Sequence, residues 1–132
     1  MYQFNYTIKE EDLNYGGHVG NERALLFFQM ARMNLFEKIG LSELNIGSNI
    51  GIIQKNAFIE YNKELFFNNN ISINIIRYEA QKVFFDLFYE IIFEKDKAIT
   101  GSTKLVAFDY ENKKIRKIPE EFNNKMNNIF NK

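Results

Sequence analysis

Residues 12–40, DLNYGGHVGNERALLFFQMARMNLFEKIG, decide the fold of this chain, because a polar turn rich in glycine leads directly into one long apolar helix. The apolar residues after the turn follow the i, i+3, i+4 spacing of a helix that faces a core. The predicted core face consists of Ala24, Leu25, Phe28, Ala31, Leu35, Phe36 and Ile39. Further apolar side chains stand on the other sides, at Leu26, Phe27, Met30 and Met33. Such a helix requires other elements around most of its circumference.

The ends of this helix are predicted from capping residues. The helix should begin near residues 19–21, where Gly20 or Asn21 would cap it and Glu22 would lie in the first turn. It should end at Gly40, since glycine is favoured just past the end of a helix.

The rest of the chain supplies strands. Alternating apolar residues predict strands over residues 2–8, 71–75 and 83–93, and turn signals on either side mark two more, over residues 51–65 and 98–110. Residues 41–49 form a connector, and a short C-terminal helix should begin with Pro119 at its first position and bury Phe122, Met126 and Ile129. Short turns between the later strands favour antiparallel pairing. The predicted fold is therefore α+β, with a curved antiparallel five-stranded sheet wrapped around one long helix.

Composition excludes several classes of protein. The 132 residues suit one domain, 1–132, and 45% hydrophobic residues argue against disorder. Lys+Arg and Asp+Glu both number 17, so the electrostatic footprint of a nucleic-acid-binding protein is missing. The absence of Cys excludes disulfides, thiolate metal sites and a cysteine nucleophile. With no apolar run long enough to span a membrane and no signal-peptide pattern, we expect a cytoplasmic protein.

The turn DLNYGGHVGN, the helical segment FFQMAR and the order of elements resemble the hotdog-fold thioesterases of the 4-hydroxybenzoyl-CoA thioesterase-like superfamily. Members often carry D-x-D-x-x-G-H-V-N-N before the helix, then an acidic residue and an Arg within it. The stretch AITGSTKLVAFDYENKKIRKIP also resembles that family's last strand and its exit through a proline. The resemblance covers essentially the whole chain. It implies an acyl-CoA or acyl-carrier-protein thioesterase that uses no metal and no other cofactor.

The residues that match the family motif are Asp12, Leu13, Gly17, His18, Val19 and Asn21. Two positions depart from it: Asn14 stands where many relatives have an aspartate, and Gln29 stands where others have an acidic helix residue. An amide cannot take a proton as a carboxylate does, so different machinery is expected here. The D-x-N order followed by H-V-x-N is similar to plant acyl-carrier-protein thioesterases, in which Asn and His belong to the proposed catalytic group.

Thioester hydrolysis requires a polarised carbonyl group and a positioned water molecule. We expect His18 to act as the base near neutral pH, Asp12 to orient its imidazole, and Asn14 to hold the water or the carbonyl oxygen. Backbone N–H groups at the start of the helix would bind the developing oxyanion. The candidate catalytic residues are His18, Asn14 and Asp12, and the candidate substrate-binding residues are Gly17, Val19, Gly20, Asn21, Glu22 and Gln29. Glu22 is the reserve candidate for the base.

Each of these residues also has a purely structural interpretation. Asp12 and Asn14 could be turn formers that make Asx hydrogen bonds, and a lone histidine in such a turn is commonly a solvated residue. Arg32 falls within the apolar helix face and therefore requires a buried partner such as a carboxylate. Two other functions stay open: a hotdog dehydratase or hydratase acting on the same class of thioester, and a non-catalytic protein that binds acyl thioesters.

A single sheet wrapped on one helix leaves strand edges open. Pairing of two sheets across a two-fold axis would cover one of these edges, and the resemblance implies that this family usually dimerises in this way. We therefore expect a homodimer, or a homotetramer formed by sheet packing, with the acyl pocket at the subunit interface.

Overall fold

The computed structural model of the protein describes residues 1–131, so Lys132, the last residue of the predicted domain 1–132, lies outside the described part. The elements in chain order are β1 (Tyr2–Thr7), a one-turn 3-10 helix (Glu10–Asp12), α1 (Arg23–Lys38), β2 (Gly51–Tyr61), β3 (Asn70–Ala80), β4 (Phe84–Phe93), β5 (Asp96–Asp109), β6 (Lys114–Ile115) and α2 (Glu120–Phe130). None of the helices within residues 1–131 is long and apolar enough to span a bilayer.

The strands form one antiparallel sheet in the order β1-β3-β4-β5-β2. It curves around α1, so the predicted α+β hotdog arrangement is confirmed. The prediction of five strands missed β6, whose two exposed residues pair with the end of β5 at Phe108 and Asp109. Two residues are too few to give a recognisable alternation of apolar and polar side chains. β2 pairs on one side only, with β5, so its other edge is open.

The central helix buries one broad face in the concave side of the sheet. Its buried residues are Ala24, Phe27, Phe28, Ala31, Arg32, Leu35 and Phe36. Leu25, which was predicted to face the core, is 39% exposed, whereas Phe27 is fully buried. The pattern is apolar nearly all round, so periodicity alone could not fix which residues point inward. Leu25, Leu26 and Met33 instead form an exposed apolar strip along α1.

The sequence predicted the C-terminal end of α1 correctly but not its N-terminal end. Gly40 follows the helix with a φ of +78°, a left-handed conformation that glycine adopts without cost, so this prediction is confirmed. The predicted caps Gly20 and Asn21 are wrong, since the helix begins at Arg23 and the residue before it, Glu22, makes no side-chain capping hydrogen bond. Residues 21–22 form a turn instead, closed by the Arg23 N–H to the Gly20 carbonyl.

The C-terminal helix closes one end of the core. Phe122 and Met126 of α2 are fully buried, as predicted, and the ring of Phe122 packs edge-on against Phe36 of α1. Pro119 caps α2 and does not occupy its first position, so that prediction is wrong by one residue. Lys125 Nζ donates to the carbonyl of Ile39 at 3.0 Å, which satisfies a free carbonyl group at the end of α1.

Candidate functional site

The turn before α1 is held by backbone hydrogen bonds that fix its position next to β2. The Gly17 N–H donates to the Asn14 carbonyl at 3.1 Å, and the Asn14 N–H donates to the His18 carbonyl at 2.8 Å. Gly17 has a φ of +80°, which few other residues adopt readily. The Val19 N–H donates to the Leu65 carbonyl at 2.8 Å, so the turn is tied to the loop that follows β2. The motif is therefore a rigid platform at the start of the helix.

Asp12 is an anchor of this platform. It is only 2% exposed, and one carboxylate oxygen accepts hydrogen bonds from the Tyr6 hydroxyl at 2.7 Å and the Lys9 N–H at 2.9 Å. The other oxygen lies 3.5 Å from Nε of Arg23. The predicted contact between Asp12 and the imidazole of His18 is not formed. Burial and the hydrogen bond to Asp12 raise the pKa of Tyr6 to about 12.

His18 is partly accessible and faces a carboxylate that the sequence did not indicate. Its side chain is 30% exposed, and Nε2 lies 4.0 Å from Oε1 of Glu64 in the loop after β2. Nδ1 lies 3.2 Å from the carbonyl of Val19, and the ring meets Phe66 edge-on. No local signal could have revealed Glu64, because the two residues are far apart in sequence and only folding brings them together.

Asn14 and His18 converge on the face of Gly16. A methyl group built on Gly16 would lie 3.2 Å from Oδ1 of Asn14 and 3.3 Å from Nε2 of His18. Oδ1 of Asn14 also accepts the Gly16 N–H at 2.8 Å, which is the Asx hydrogen bond of the structural interpretation. Asn14 thus stabilises the turn, and its Oδ1 and Nε2 of His18 approach the same face of Gly16.

A cavity of about 280 Å³ opens beside these residues. Four of the predicted site residues, His18, Val19, Gly20 and Asn21, line it together, with residues 61–65 and Ile99 on the opposite side. Within residues 1–131, the backbone N–H groups of Asn21 and Glu22 have no hydrogen-bond partner. The carboxylate of Glu22 folds over Gly20, so that a methyl group built on Gly20 would lie 2.5 Å from Oε1 of Glu22.

Gln29 lies in a different place. It lines a larger cavity of about 970 Å³, between the exposed strip of α1, the connector and the start of β2. Its amide Nε2 donates to Oε1 of Glu43 at 3.0 Å, and Glu43 also pairs with the buried Arg32. The predicted carboxylate partner of Arg32 is therefore confirmed and is Glu43. The structure brings Gln29 to this second polar group and not to His18.

Tyr89 of β4 also belongs to the polar group of Gln29, Arg32 and Glu43. The Tyr89 hydroxyl accepts a hydrogen bond from Nη1 of Arg32 at 3.1 Å and lies 2.7 Å from Oγ1 of Thr103. Burial raises the pKa of Tyr89, and the neighbouring Arg32 opposes that rise. Within residues 1–131, no three His, Asp or Glu side chains are arranged to hold a metal ion.

Comparison with known proteins agrees with this architecture. The Thioesterase-like superfamily profile matches residues 8–126. No curated protein sequence matches significantly. Among solved structures, a hypothetical protein from Aquifex aeolicus superposes with a TM-score of 0.88 at 20% identity, covering 96% of this chain and 99% of its own.

Two named thioesterases are also similar in structure. The 1,4-dihydroxy-2-naphthoyl-CoA thioesterase from Synechocystis has a TM-score of 0.84 at 17% identity, with 95% of this chain and 94% of that chain covered. A probable thioesterase from Escherichia coli has a TM-score of 0.79 at 20% identity, with 95% and 96% covered. At these identities the likeness establishes the hotdog fold, and the profile match establishes the family. The chain belongs to the thioesterase-like superfamily.

Proposed function

We propose that this chain is a thioester hydrolase that acts on acyl-CoA or acyl-carrier-protein thioesters at the start of α1, without metal or other cofactor. One observation carries the proposal: the accessible imidazole of His18 and Asn21, whose backbone N–H has no partner among residues 1–131, line the same cavity at the start of the helix, and the unpaired N–H of Glu22 follows directly in the chain. A base and an oxyanion site side by side are what hydrolysis of an activated ester requires.

The reaction follows from these groups. The thioester carbonyl oxygen accepts hydrogen bonds from the N–H groups of Asn21 and Glu22, which the helix dipole reinforces. Water attacks the carbonyl carbon and gives its proton to Nε2 of His18. The tetrahedral intermediate then collapses, the C–S bond breaks, and the thiol leaves with the proton from His18. No covalent enzyme intermediate is needed.

The neighbouring residues support this arrangement. The carbonyl of Val19 faces Nδ1, which favours the tautomer with the proton on that nitrogen and leaves Nε2 free to accept. Asn14, whose Oδ1 approaches the same face of Gly16 as Nε2 of His18, would hold the attacking water. Asp12 is a positioning residue, because it ties the turn to β1 and α1. Glu22 is the competing candidate for the base, and its side chain must swing off Gly20 for substrate to approach.

The test is free-thiol release from short, long and aromatic acyl-CoAs, read with a thiol-reactive dye. The chain has no Cys, so the protein gives no background. We expect His18→Ala to lower kcat by about a hundredfold or more while the circular dichroism spectrum and the unfolding midpoint stay unchanged. Tyr15→Ala, on the same turn and fully exposed, should behave as wild type. Unchanged turnover in His18→Ala would overturn the role of His18, and lost turnover in Glu22→Gln would transfer it to Glu22.

A second candidate function is binding of acyl thioesters without hydrolysis. Two features of the turn favour it. The carboxylate of Asp12 is buried among its own hydrogen-bond partners, and Asn14 carries an amide, which cannot take a proton as a carboxylate does. A binding protein would show thermal stabilisation by acyl-CoAs and no thiol release from any of them.

We also propose that two copies pair through the open edge of β2. The edge strand exposes Ile53, Phe58 and Tyr61, and the apolar strip of α1 lies beside its beginning. An unpaired, apolar strand edge favours association. Sedimentation velocity over a range of concentrations should give twice the chain mass, or four times if sheets also pack; a monomer at every concentration would refute the pairing.

A further inference from the structure

The larger cavity has a polar floor under apolar walls. Its walls include Leu25, Leu26, Met33, Leu44, Ile53 and Leu105. Its floor carries Gln29, Arg32 and Glu43, and it shares no lining residue with the cavity beside His18. An apolar cavity with a few convergent polar groups is the usual form of a small-molecule site, in which the polar groups select the ligand.

Arg32 is the charged centre of this floor. Its residue is 4% exposed, Nε pairs with Oε2 of Glu43, and Nη1 donates to the Tyr89 hydroxyl at 3.1 Å. A buried guanidinium is tolerated only with such partners, since burying an unpaired charge costs far more than one hydrogen bond returns. The negative charge of Glu43 balances the positive charge of Arg32, so the pair as a whole is neutral.

One nitrogen of Arg32 has no protein partner. Among residues 1–131, Nη2 makes no hydrogen bond, whereas Nε and Nη1 both do. No enclosed side-chain nitrogen or oxygen in that part of the chain lacks a partner, so Nη2 must reach an open surface. The surface that Arg32 lines is the cavity. A guanidinium has five N–H donors, and those on Nη2 are therefore presented to whatever enters.

Glu43 holds a second donor next to the first. One of its oxygens pairs with Arg32 and the other accepts from Nε2 of Gln29 at 3.0 Å, which fixes the amide and leaves its second N–H free. The main chain of Glu43 is fixed too, since its carbonyl accepts the Ile52 N–H at 2.9 Å. Glu43 thus orients two donors without occupying either fully.

We propose that this cavity selects acyl groups that carry a neutral, hydrogen-bond-accepting oxygen such as a ketone, bound by Nη2 of Arg32 and the amide of Gln29, with Glu43 as the positioning residue. Two donors match an oxygen that only accepts. A carboxylate is disfavoured, because Glu43 already neutralises Arg32 and a further buried charge would be uncompensated. The inference rests on the proposed thioesterase function and on the proposed pairing of two copies: the cavity lies beside the start of β2, so it would receive the acyl group at the interface between them.

The test compares three acyl-CoAs of nearly equal size: pentanoyl-CoA, levulinoyl-CoA, which adds a ketone, and succinyl-CoA, which replaces the terminal methyl group of levulinoyl-CoA with a charged oxygen. Homologues with longer spacers extend each series. For the best-fitting spacer, kcat/KM for the ketone should exceed that for the alkyl parent by about tenfold to a hundredfold, the worth of a hydrogen bond to a charged donor. Equal values, or a preference for the carboxylate, would overturn the proposal.

Variants of Gln29, Arg32 and Glu43 test whether these residues cause the preference for the ketone. Arg32→Met with Glu43→Leu removes the whole ion pair, a replacement that commonly preserves stability, and should bring the ratio of ketone to alkyl kcat/KM close to one. Gln29→Met leaves the pair intact and should lower the ratio by about threefold to tenfold. Glu37→Gln, which removes a carboxylate from the rim of the same cavity, is the matched control and should keep the ratio. An unchanged ratio in the double variant would overturn the proposal.

Binding measurements separate this inference from the proposed function. If no acyl-CoA releases thiol, the hydrolase proposal fails, and calorimetric Kd values for the same compounds then test the cavity directly. Tighter binding of the ketone, lost in the double variant, would still support the inference. Equal Kd values would refute it.

Discussion

Replacing Gly101 with alanine tests how closely the sheet wraps α1. Gly101 lies in the middle of β5, between β2 and β4. A methyl group there would overlap the backbone carbonyl oxygen of Phe58 and lie 2.9 Å from Cε2 of Phe28. The ring of Phe28 is fully buried and stacks on Tyr89 with centroids 4.2 Å apart, so it has no space to retreat. Either the β2–β5 pairing or the helix has to shift.

The expected loss in the free energy of unfolding of Gly101→Ala can be estimated from two opposing effects. Overpacking a filled core costs about 1–3 kcal/mol, and an overlap with backbone favours the upper end. Replacing glycine restricts the unfolded chain and returns about 0.4–1 kcal/mol. Gly101→Ala should therefore lower the free energy of unfolding by about 2 kcal/mol. For a domain of this size that corresponds to a fall in Tm of roughly 8 °C.

Urea unfolding followed by circular dichroism would measure the change. Ser102→Ala is the matched control, because the next residue of β5 points to the opposite face of the sheet. It should alter the free energy of unfolding by no more than about 0.5 kcal/mol. If Gly101→Ala were as stable as wild type within about 0.5 kcal/mol, the close approach of sheet and helix at this position would be refuted.

Two further predictions concern the turn. The pKa of Tyr6 is raised by burial from 10.0 to about 12, so its neutral phenol stabilises the fold below pH 10 and this contribution disappears as pH rises through 12. The stability advantage of wild type over Tyr6→Phe, measured by urea unfolding, should shrink across that window; a constant difference would contradict it. Gly16→Ala should push Asn14 and His18 apart by a few tenths of an ångström and lower thioester turnover about tenfold, with a change in unfolding free energy below about 1 kcal/mol. Turnover equal to that of Tyr15→Ala would show that this spacing does not matter.

The fold was predictable because its main signals are local. Gly40 ends α1 where a left-handed residue is needed, and turn signals with alternating side chains located the strands of the main sheet. Two strand ends were wrong: the strand predicted over 51–65 ends at Tyr61, and the one predicted over 71–75 extends over Asn70–Ala80. The rotation of α1 was not predictable in the same way. Phe27 and Leu25 are both large and apolar, and only the shape of the concave sheet decides that Phe27 is buried and Leu25 exposed. The motif could locate the helix but could not orient it.

The candidate site divides along the same line. His18, Gly20 and Asn21 were expected to lie together because they are neighbours in a turn, and they do. The partners of Asp12 could not be predicted, because Tyr6 comes from β1 and Arg23 from α1. A buried carboxylate binds whichever donors the packed elements bring to it. A pattern of residue types along the chain carries no information about that choice.

The Arg32–Glu43 pair shows what burial alone can predict. A charge on the core face of a helix must be paired, so the existence of a carboxylate partner followed from the apolar pattern around Arg32. Its identity did not, because Glu43 lies in an irregular connector whose position is set by its bond to Ile52 of β2. The free backbone donor of Glu22 is a consequence of helix geometry, since the N–H groups at the start of a helix have no partner within it, and that of Asn21 belongs to the turn just before α1. The floor of the larger cavity depends on one side-chain pairing. Substitutions of Gln29, Arg32 or Glu43 should therefore change which acyl group is accepted, whereas substitutions of His18 should change whether any is hydrolysed.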